Sequence, residues 1–162
     1  LNLTSPTTAD LDREILAWLC EIGGIDAAQF THEFFASGSL LAHNSAEEAI
    51  GADRKVFEEN GARVSISHIE ESGLGLFSAR KDDLSAQLDE LIAEKGYDLA
   101  LLIVTDITSH HSLLLTSGDS KIIGALPFDR DEDGVFQAPG VVSRKKQIFP
   151  AVCQAIRVAA HR

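Results

Sequence analysis

The sequence predicts a single α/β domain with a mixed sheet of about five strands and helices against both faces. The length, 162 residues, fits one domain with one substantial core. Apolar residues follow a helical period in the first third of the chain, and strand patterns then alternate with helical ones. Hydrophobic residues make up 44% and charged residues 24%, as is ordinary for a globular protein.

The first segments are predicted to be a linker and then a helix. Residues 1–9 are rich in Ser and Thr, contain a proline and lack a periodic apolar face, which indicates a linker or docking arm. Asp10 can cap a helix that runs to about Ile22, and Gly23-Gly24 ends it. Residues 10–162 are predicted to form the folded domain.

Two further helices are expected before the first strand. Asp26 can cap the second helix, which carries phenylalanines at helical spacing. Ser45 followed by Glu48 fits a capping box for a short third helix that ends near Gly51. The aromatic residues of the second helix are predicted to be core: Phe30, Phe34 and Phe35.

The apolar period then changes to that of strands. Asn60-Gly61 separates two β-prone runs and is a strong hairpin signal. A charged helix is expected over about Ala79–Lys95, and Gly96 closes it. The run "YDLALLIVTDI" is almost continuously apolar, which is typical of a buried central strand.

Shorter segments complete the predicted fold. We expect strands in "HSLLLTSG" and "SKIIGALPF", an acidic turn in "FDRDEDG", and a brief strand or loop in "VFQAPG". Ser143 opens the final helical segment, and Pro150 divides it by starting a second helix.

The composition excludes several classes of partner. A formal net charge of -11 argues against general nucleic-acid binding, which needs a broad cationic face. No apolar run approaches the roughly 18 residues that span a bilayer, so no membrane partner is expected. The two cysteines, Cys20 and Cys153, are expected to be free thiols, which favours a reducing, cytoplasmic location. The complete lack of methionine predicts that the chain is a piece of a longer protein.

The cluster "SRKKQ" stands out in so acidic a chain. Ser143 occupies an N-cap position, so Arg144, Lys145 and Lys146 would belong to the first helical turn. Cations there are disfavoured by the helix dipole unless an anion occupies the site. Free amides and cationic side chains together suit a phosphate group. A solvated basic patch, which describes most basic triplets, is the alternative interpretation.

Other polar residues give weaker signals. Arg54 and Lys55 would lie on opposite faces of a strand, so only one could line a given site. Adjacent His110 and His111 would also diverge, and no known ligand spacing completes a metal site with them. His68 could face the core or a cleft, and the break in the apolar alternation beside it favours the cleft.

Several segments together resemble a known family. "PGVVSRKKQIFP" closely resembles the C-terminal signature of manganese-dependent family II inorganic pyrophosphatases. That signature belongs to the DHH-associated C-terminal domain, which also occurs in prune-type exopolyphosphatases. "LTSPTT" with "DREILAWLCEIGGID" resembles the interdomain linker and first helix, and "LALLIVTDI" resembles the central strand. "FASGSLLAHNSAEEAIGADRKVF" resembles a segment ending in Asp53, Lys55 and Phe57.

The resemblance implies a shared site between two domains. The N-terminal DHH domain would bind manganese, or magnesium or cobalt in its place, through Asp and His residues, and a cleft would close over pyrophosphate or polyphosphate. No DHH tripeptide occurs in this chain. We therefore expect this domain to hold no metal and no catalytic residue, and to hydrolyse nothing alone. The oligomeric state stays open.

The resemblance to the family motif implies phosphate-binding roles for particular residues of this chain. Arg144 and Lys145 would be the principal phosphate ligands, with Lys55 the third. Supporting roles are expected from the remaining motif residues and from the candidate cleft histidine: Ser143, Lys146, Gln147 and His68. The alternative function is a non-catalytic polyphosphate- or anion-binding module with a regulatory or interaction role.

Overall fold

The structure is a computed structural model that describes residue 3 and residues 8–161. Most of the predicted linker, residues 1–9, and the last residue of the predicted domain lie outside the described residues. The prediction of one α/β domain with helices on both faces of a mixed sheet is confirmed. The sheet has six strands rather than about five.

The sheet is mixed, with one parallel pair. The strands are β1 Arg54–Glu59, β2 Ala62–Glu71, β3 Leu99–Asp106, β4 His111–Gly118, β5 Asp129–Arg130 and β6 Phe136–Pro139. Their order across the sheet is β1-β2-β3-β4-β6-β5. Only β2 and β3 run parallel, and every other neighbouring pair is antiparallel.

Seven α-helices and one π-helical turn surround the sheet in the described part of the chain. The helices are α1 Asp10–Gly23, α2 Ala27–Ser37, α3 Leu40–His43, α4 Ala46–Ala52, α5 Gly75–Lys95, α6 Ser120–Ile123 and α7 Phe149–Ala160, and the π turn is Arg144–Ile148. A long helix is needed between β2 and β3, because parallel neighbours require a crossover connection. The helix α5 supplies it. None of the described helices is long and apolar enough to cross a bilayer.

Each face of the sheet has its own apolar core. On one face, here the α5 face, Leu84 and Leu88 of α5 pack with Leu102 and Val104 of β3. On the other, here the α7 face, residues of α6 and α7 pack with the alternate residues of the same strands, such as Ile103. The central strand β3 is buried along its whole length, as the apolar run predicted.

Local turn chemistry follows the sequence closely. Asn60 and Gly61 both have positive φ, 50° and 81°, as a two-residue hairpin turn requires. Gly96 ends α5 in the left-handed region at φ 63°. Ser45 and Glu48 form the predicted capping box, although α4 is the fourth helix rather than the third. Asp26 caps α2 by accepting from Gln29 N.

Two predicted features of local structure are wrong. Ala9 is the N-cap of α1, with Asp10 its first residue, and Asp12 accepts the hydrogen bond from Ala9 N. "SKIIGALPF" contains the short helix α6 instead of a strand, because the Asp119 carboxylate caps Lys121 N and Ile122 N.

The prediction that Phe30, Phe34 and Phe35 of the second helix are core is also wrong, since the helix contributes to neither core. Phe30 and Phe34 are 55% and 61% exposed, and neither α1 nor α2 buries any residue. Helical spacing predicts that one face of a helix is apolar. It does not say which surface covers that face, and the two cores of the sheet are filled by other helices.

Candidate functional site

A cleft of about 490 Å³ opens on the α7 face, between β1, β2 and the π turn. Three basic side chains line it from two segments: Lys55 from β1, and Arg144 and Lys145 from the π turn. The remaining lining residues are Phe57, His68, Glu70, Val142, Ser143 and Phe149. The rings of Phe57 and Phe149 stack with centroids 4.4 Å apart, which joins β1 to the start of α7.

Strand register decides which polar side chains reach the cleft. Lys55 pairs with Ile66, a residue of the α7-face core, so Lys55 lies on that face. Arg54 pairs with Ser67 and lies on the opposite face. His68 and Glu70 follow Ile66 at intervals of two and therefore share its face.

The cationic triplet begins in a widened helical turn. Ile148 N and Phe149 N donate to the carbonyl groups of Ser143 and Arg144, five residues earlier. Pro150 has no N–H for the α-helical bond to the Lys146 carbonyl, which is a physical reason for the wider turn. The predicted division of the segment at Pro150 is confirmed, since α7 begins with proline in its first turn.

Ser143 caps this turn by accepting from one of its backbone N–H groups, and two other N–H groups of the turn stay unpaired within the described residues. Its Oγ accepts a hydrogen bond from Lys146 N at 3.2 Å. Within the described ranges, no protein group accepts from the N–H of Arg144 or Lys145. These two amides are therefore available to an anion, and the third predicted amide, that of Lys146, is not.

The Gln147 side chain forms hydrogen bonds with the loop that precedes the π turn. Its Oε1 accepts from Val142 N and Ser143 N, each at 3.0 Å, and its Nε2 donates to the Gly140 carbonyl at 3.0 Å. The side chain thus fixes the loop before the cations and does not line the cleft.

Arg144 is held in place by the protein itself. Its Nη1 donates to the Asp53 carbonyl at 2.6 Å, and its Nη2 donates to Asp53 Oδ1 at 2.9 Å. The Arg144 side chain is 11% exposed and that of Asp53 is 51% exposed. The guanidinium is therefore positioned before any ligand arrives, with two of its nitrogen atoms already paired.

His68 is tied to the sheet beneath the cleft. Its Nε2 lies 2.8 Å from Thr105 Oγ1, which lies 2.7 Å from Ser112 Oγ. Burial lowers the pKa of His68, and the nearby Arg144 guanidinium acts in the same direction against the opposing effect of Asp53. The imidazole is therefore neutral near pH 7.

Glu70 was not foreseen as a residue of this cleft. Burial raises the pKa of its carboxyl group, and the Asp53 carboxylate adds to the increase. The signal was present in the sequence, because a residue two positions from His68 on a strand shares its face. Asp53, the partner of Arg144, was identified only as part of a motif.

The structure brings together most of the predicted site residues. Five of them line one cleft: Lys55, His68, Ser143, Arg144 and Lys145. Lys146 does not line it, although it follows Lys145 directly. The roles of all these residues in binding stay predictions.

The remaining histidines have separate environments. His110 lies in the turn before β4 with φ 55°, and His111 Nε2 lies 2.9 Å from Gln137 Oε1. Among the described residues, no group of three or more His, Cys, Asp or Glu side chains could hold a metal ion.

Comparison with known proteins shows the family to which the chain belongs. Residues 32–155 match the model of the DHHA2 domain. The chain belongs to the DHHA2 domain family, in agreement with the DHH-associated signature in "SRKKQ".

The relatives of the chain are larger proteins. It is 35% identical over 158 residues to a protein of Lactobacillus johnsonii named a probable manganese-dependent inorganic pyrophosphatase, covering 96% of this chain and 51% of the relative. It is 34% identical over 152 residues to the manganese-dependent inorganic pyrophosphatase of Methanocaldococcus jannaschii, covering 93% and 50%. The chain spans about half the length of the curated relatives it matches.

A solved structure has the same fold. The crystal structure of a Methanococcus jannaschii protein, provisionally assigned as a family II inorganic pyrophosphatase, superimposes with a TM-score of 0.76 at 33% identity. The match covers 94% of this chain and 50% of that one.

Proposed function

We propose that this chain is the phosphate-binding part of a metal-dependent phosphoanhydride hydrolase. Pyrophosphate, cleaved to two phosphates, is the first candidate substrate, and a longer polyphosphate is the second. The observation that carries the proposal is the convergence of Lys55, Arg144 and Lys145 on one cleft in a chain of net charge -11. The names of the relatives, which are pyrophosphatases, support the choice of substrate.

The three cations suit a phosphoryl group in different ways. Arg144 presents a rigid guanidinium that Asp53 already orients, so little reorganisation is needed when charge develops on a phosphate oxygen. Lys55 and Lys145 supply mobile point charges from the two sides of the cleft. The unpaired amides of Arg144 and Lys145 add two fixed donors.

Manganese, named for the relatives, does not fit the residues of this domain. No suitable group of ligands lies in the described part of the chain, so no step of hydrolysis is assigned to these residues through a metal. We propose that the half of the relatives that this chain does not match holds manganese, or magnesium or cobalt in its place. A cytoplasmic location, suggested by the free thiols, belongs to the same proposal.

The experiment is a titration of the isotope-labelled chain with pyrophosphate and with tripolyphosphate, each with and without manganese, followed by amide NMR shifts. We expect weak binding with shifts at Lys55 and Ser143–Lys145, little dependence on manganese, and no hydrolysis. Tight binding that requires manganese would show that this domain itself binds a metal, which would contradict the proposal.

Lys145→Gln and Lys146→Gln form a matched pair of variants. Both remove one lysine from the same turn, but only Lys145 lines the cleft. The affinity for pyrophosphate should fall about five- to tenfold in Lys145→Gln and by less than twofold in Lys146→Gln. Equal losses would mean that the triplet acts only through general charge, and the cleft would lose its assigned role.

A further inference from the structure

A continuous hydrogen-bonded chain joins the cleft to the loop that carries the cations. It runs from His68 through Thr105 and Ser112 to the carbonyl of Val141. The three side chains lie on β2, β3 and β4 and all face the α7 side of the sheet. Thr105 and Ser112 are both 0% exposed, so water does not replace these hydrogen bonds.

The direction of every proton in this chain can be deduced. A carbonyl oxygen only accepts, so Ser112 must use its single hydroxyl proton toward Val141. Ser112 Oγ is then the acceptor for Thr105, which uses its own single proton in that bond. Thr105 Oγ1 can therefore only accept from His68, and Nε2 must carry a proton.

This deduction fixes the chemical character of the other ring nitrogen. The neutral imidazole has one proton, and it is on Nε2, so Nδ1 is an acceptor. The Nε2 bond is the single side-chain hydrogen bond that His68 makes to the described residues. The ring lines the cleft, where it lies among charged groups from every neighbouring segment: Asp53, Lys55, Glu70, Arg144 and Lys145.

We propose that His68 determines specificity in this cleft: its Nδ1 accepts a hydrogen bond from a protonated phosphate oxygen, so the cleft prefers hydrogen-bearing phosphate anions to sulfate. This inference rests on the proposed function, because it concerns the same cleft. Cations alone do not discriminate between two tetrahedral dianions of the same charge. A buried acceptor does, because an anion without a proton leaves it unpaired and brings an oxygen lone pair against it.

Glu70 provides an independent observation of the same kind. Its carboxylate lines the cleft without a hydrogen-bond partner among the described residues, and a carboxylate beside a fully deprotonated anion is repelled. A P–OH group on the bound anion removes that conflict, since it can donate to either acceptor. Two acceptors beside three cations therefore suit an anion that carries both negative charge and a proton.

The tautomer is tested first, by long-range proton–nitrogen NMR of the imidazole rings in the ¹⁵N-labelled chain at pH 7.5. We expect the pattern of a neutral ring protonated at Nε2 for His68. A ring protonated at Nδ1 would overturn the inference, because the acceptor would then be absent from the cleft.

The selectivity is tested by titration with inorganic phosphate and with sulfate at pH 7.5 and equal ionic strength, followed at the amides of Arg144 and Lys145. Phosphate keeps a proton at this pH and sulfate keeps none. We expect phosphate to bind about tenfold more tightly, the effect of one hydrogen bond. Equal affinities would overturn the inference and leave the proposed function intact, whereas no shift with either anion would overturn both.

Three variants separate specificity from a merely structural effect. His68→Phe keeps a ring but removes Nδ1, and the ratio of the two affinities should fall several-fold towards one, with Glu70 left to accept from the anion. Thr105→Val releases Nε2 and should lower the ratio without removing the histidine, and Thr105→Ser should restore it. A purely structural role would weaken both anions equally and leave the ratio unchanged in all three, which would contradict the inference. Amide spectra of the β3 residues report whether each variant retains the fold.

Discussion

Two adjacent carboxylates at the end of β2 lie on opposite faces of the sheet and in opposite environments. Glu71, on the α5 face, is 3% exposed, and its Oε1 accepts from Ser39 Oγ and Leu41 N. Glu70, on the α7 face, is half-buried and borders an open cleft. At the same strand end, the protein therefore covers the carboxylate on the α5 face and leaves the carboxylate on the α7 face accessible.

On the α5 face, loops and helix ends satisfy the carboxylates at the strand ends. The Asp106 carboxylate at the end of β3 accepts from Gly73 N, Thr108 N and Ser109 Oγ, at 3.1, 2.9 and 2.6 Å. Burial acts to raise the pKa of Asp106, but these hydrogen bonds outweigh it, and the pKa is lowered. The carboxylates of Glu71 and Asp106 therefore serve stability.

Polar groups on the α7 face border an open cleft instead. Lys55, His68 and Glu70 face a space that the protein does not fill. The comparison teaches that a polar residue at a strand end indicates function only when the protein leaves it partly unsatisfied beside a cavity.

The largest expected contrast is between two alanine variants. Glu71→Ala leaves the buried donors Leu41 N and Ser39 Oγ unpaired and should lower the free energy of unfolding by about 2–3 kcal/mol. Glu70→Ala should change it by less than about 0.5 kcal/mol. Urea denaturation of both variants measures the difference. A similar loss of unfolding free energy in both variants would show that Glu70 is as fully satisfied by the protein as Glu71, which would contradict the comparison.

A smaller effect is expected at Asp106. Asp106→Asn should lower the free energy of unfolding by about 1–2 kcal/mol near pH 7, since charge-assisted hydrogen bonds to two loops weaken. A carboxyl group with a lowered pKa stabilises the fold above its unfolded pKa, and this contribution is lost as pH falls through the folded value. The difference between wild type and variant should therefore shrink below about pH 4. A difference that stays constant down to pH 3 would exclude this explanation.

The smallest effect concerns the neighbouring cations at the start of β1. Lys55→Gln should weaken pyrophosphate binding about fivefold by removing one cleft cation, with almost no change in stability. Arg54→Gln is the matched control, because it removes the same charge from the opposite face. Isothermal titration of both variants checks the prediction. A comparable loss in Arg54→Gln would indicate long-range attraction rather than contact.

The sequence predicted elements where local chemistry decides the outcome. The Asn60-Gly61 turn, the Ser45 cap of α4 and the end of α5 at Gly96 all follow from the conformational needs of single residues. The prediction failed for "SKIIGALPF", where an apolar run suited either a strand or a helix and the Asp119 cap decided for the helix.

Much of the candidate site could also be anticipated. The family resemblance of "SRKKQ" indicated Arg144 and Lys145, and the period of a strand implied that only one of Arg54 and Lys55 could join them. Spacing alone did not separate Lys145 from Lys146, and only the family motif ranked Lys145 first, because their position in the turn depends on the π-helical widening before Pro150.

The sequence by itself determined the α/β class, the two-sided covering of β3, the hairpin and the cationic turn, because each depends on spacing along the chain. Only the tertiary structure decided that His68 joins Thr105 and Ser112, that Asp53 holds Arg144, and that Phe30 and Phe34 stay exposed. Those outcomes depend on strand register and on which helices fill each face. Both are set by packing between segments far apart in the chain, which local patterns do not encode.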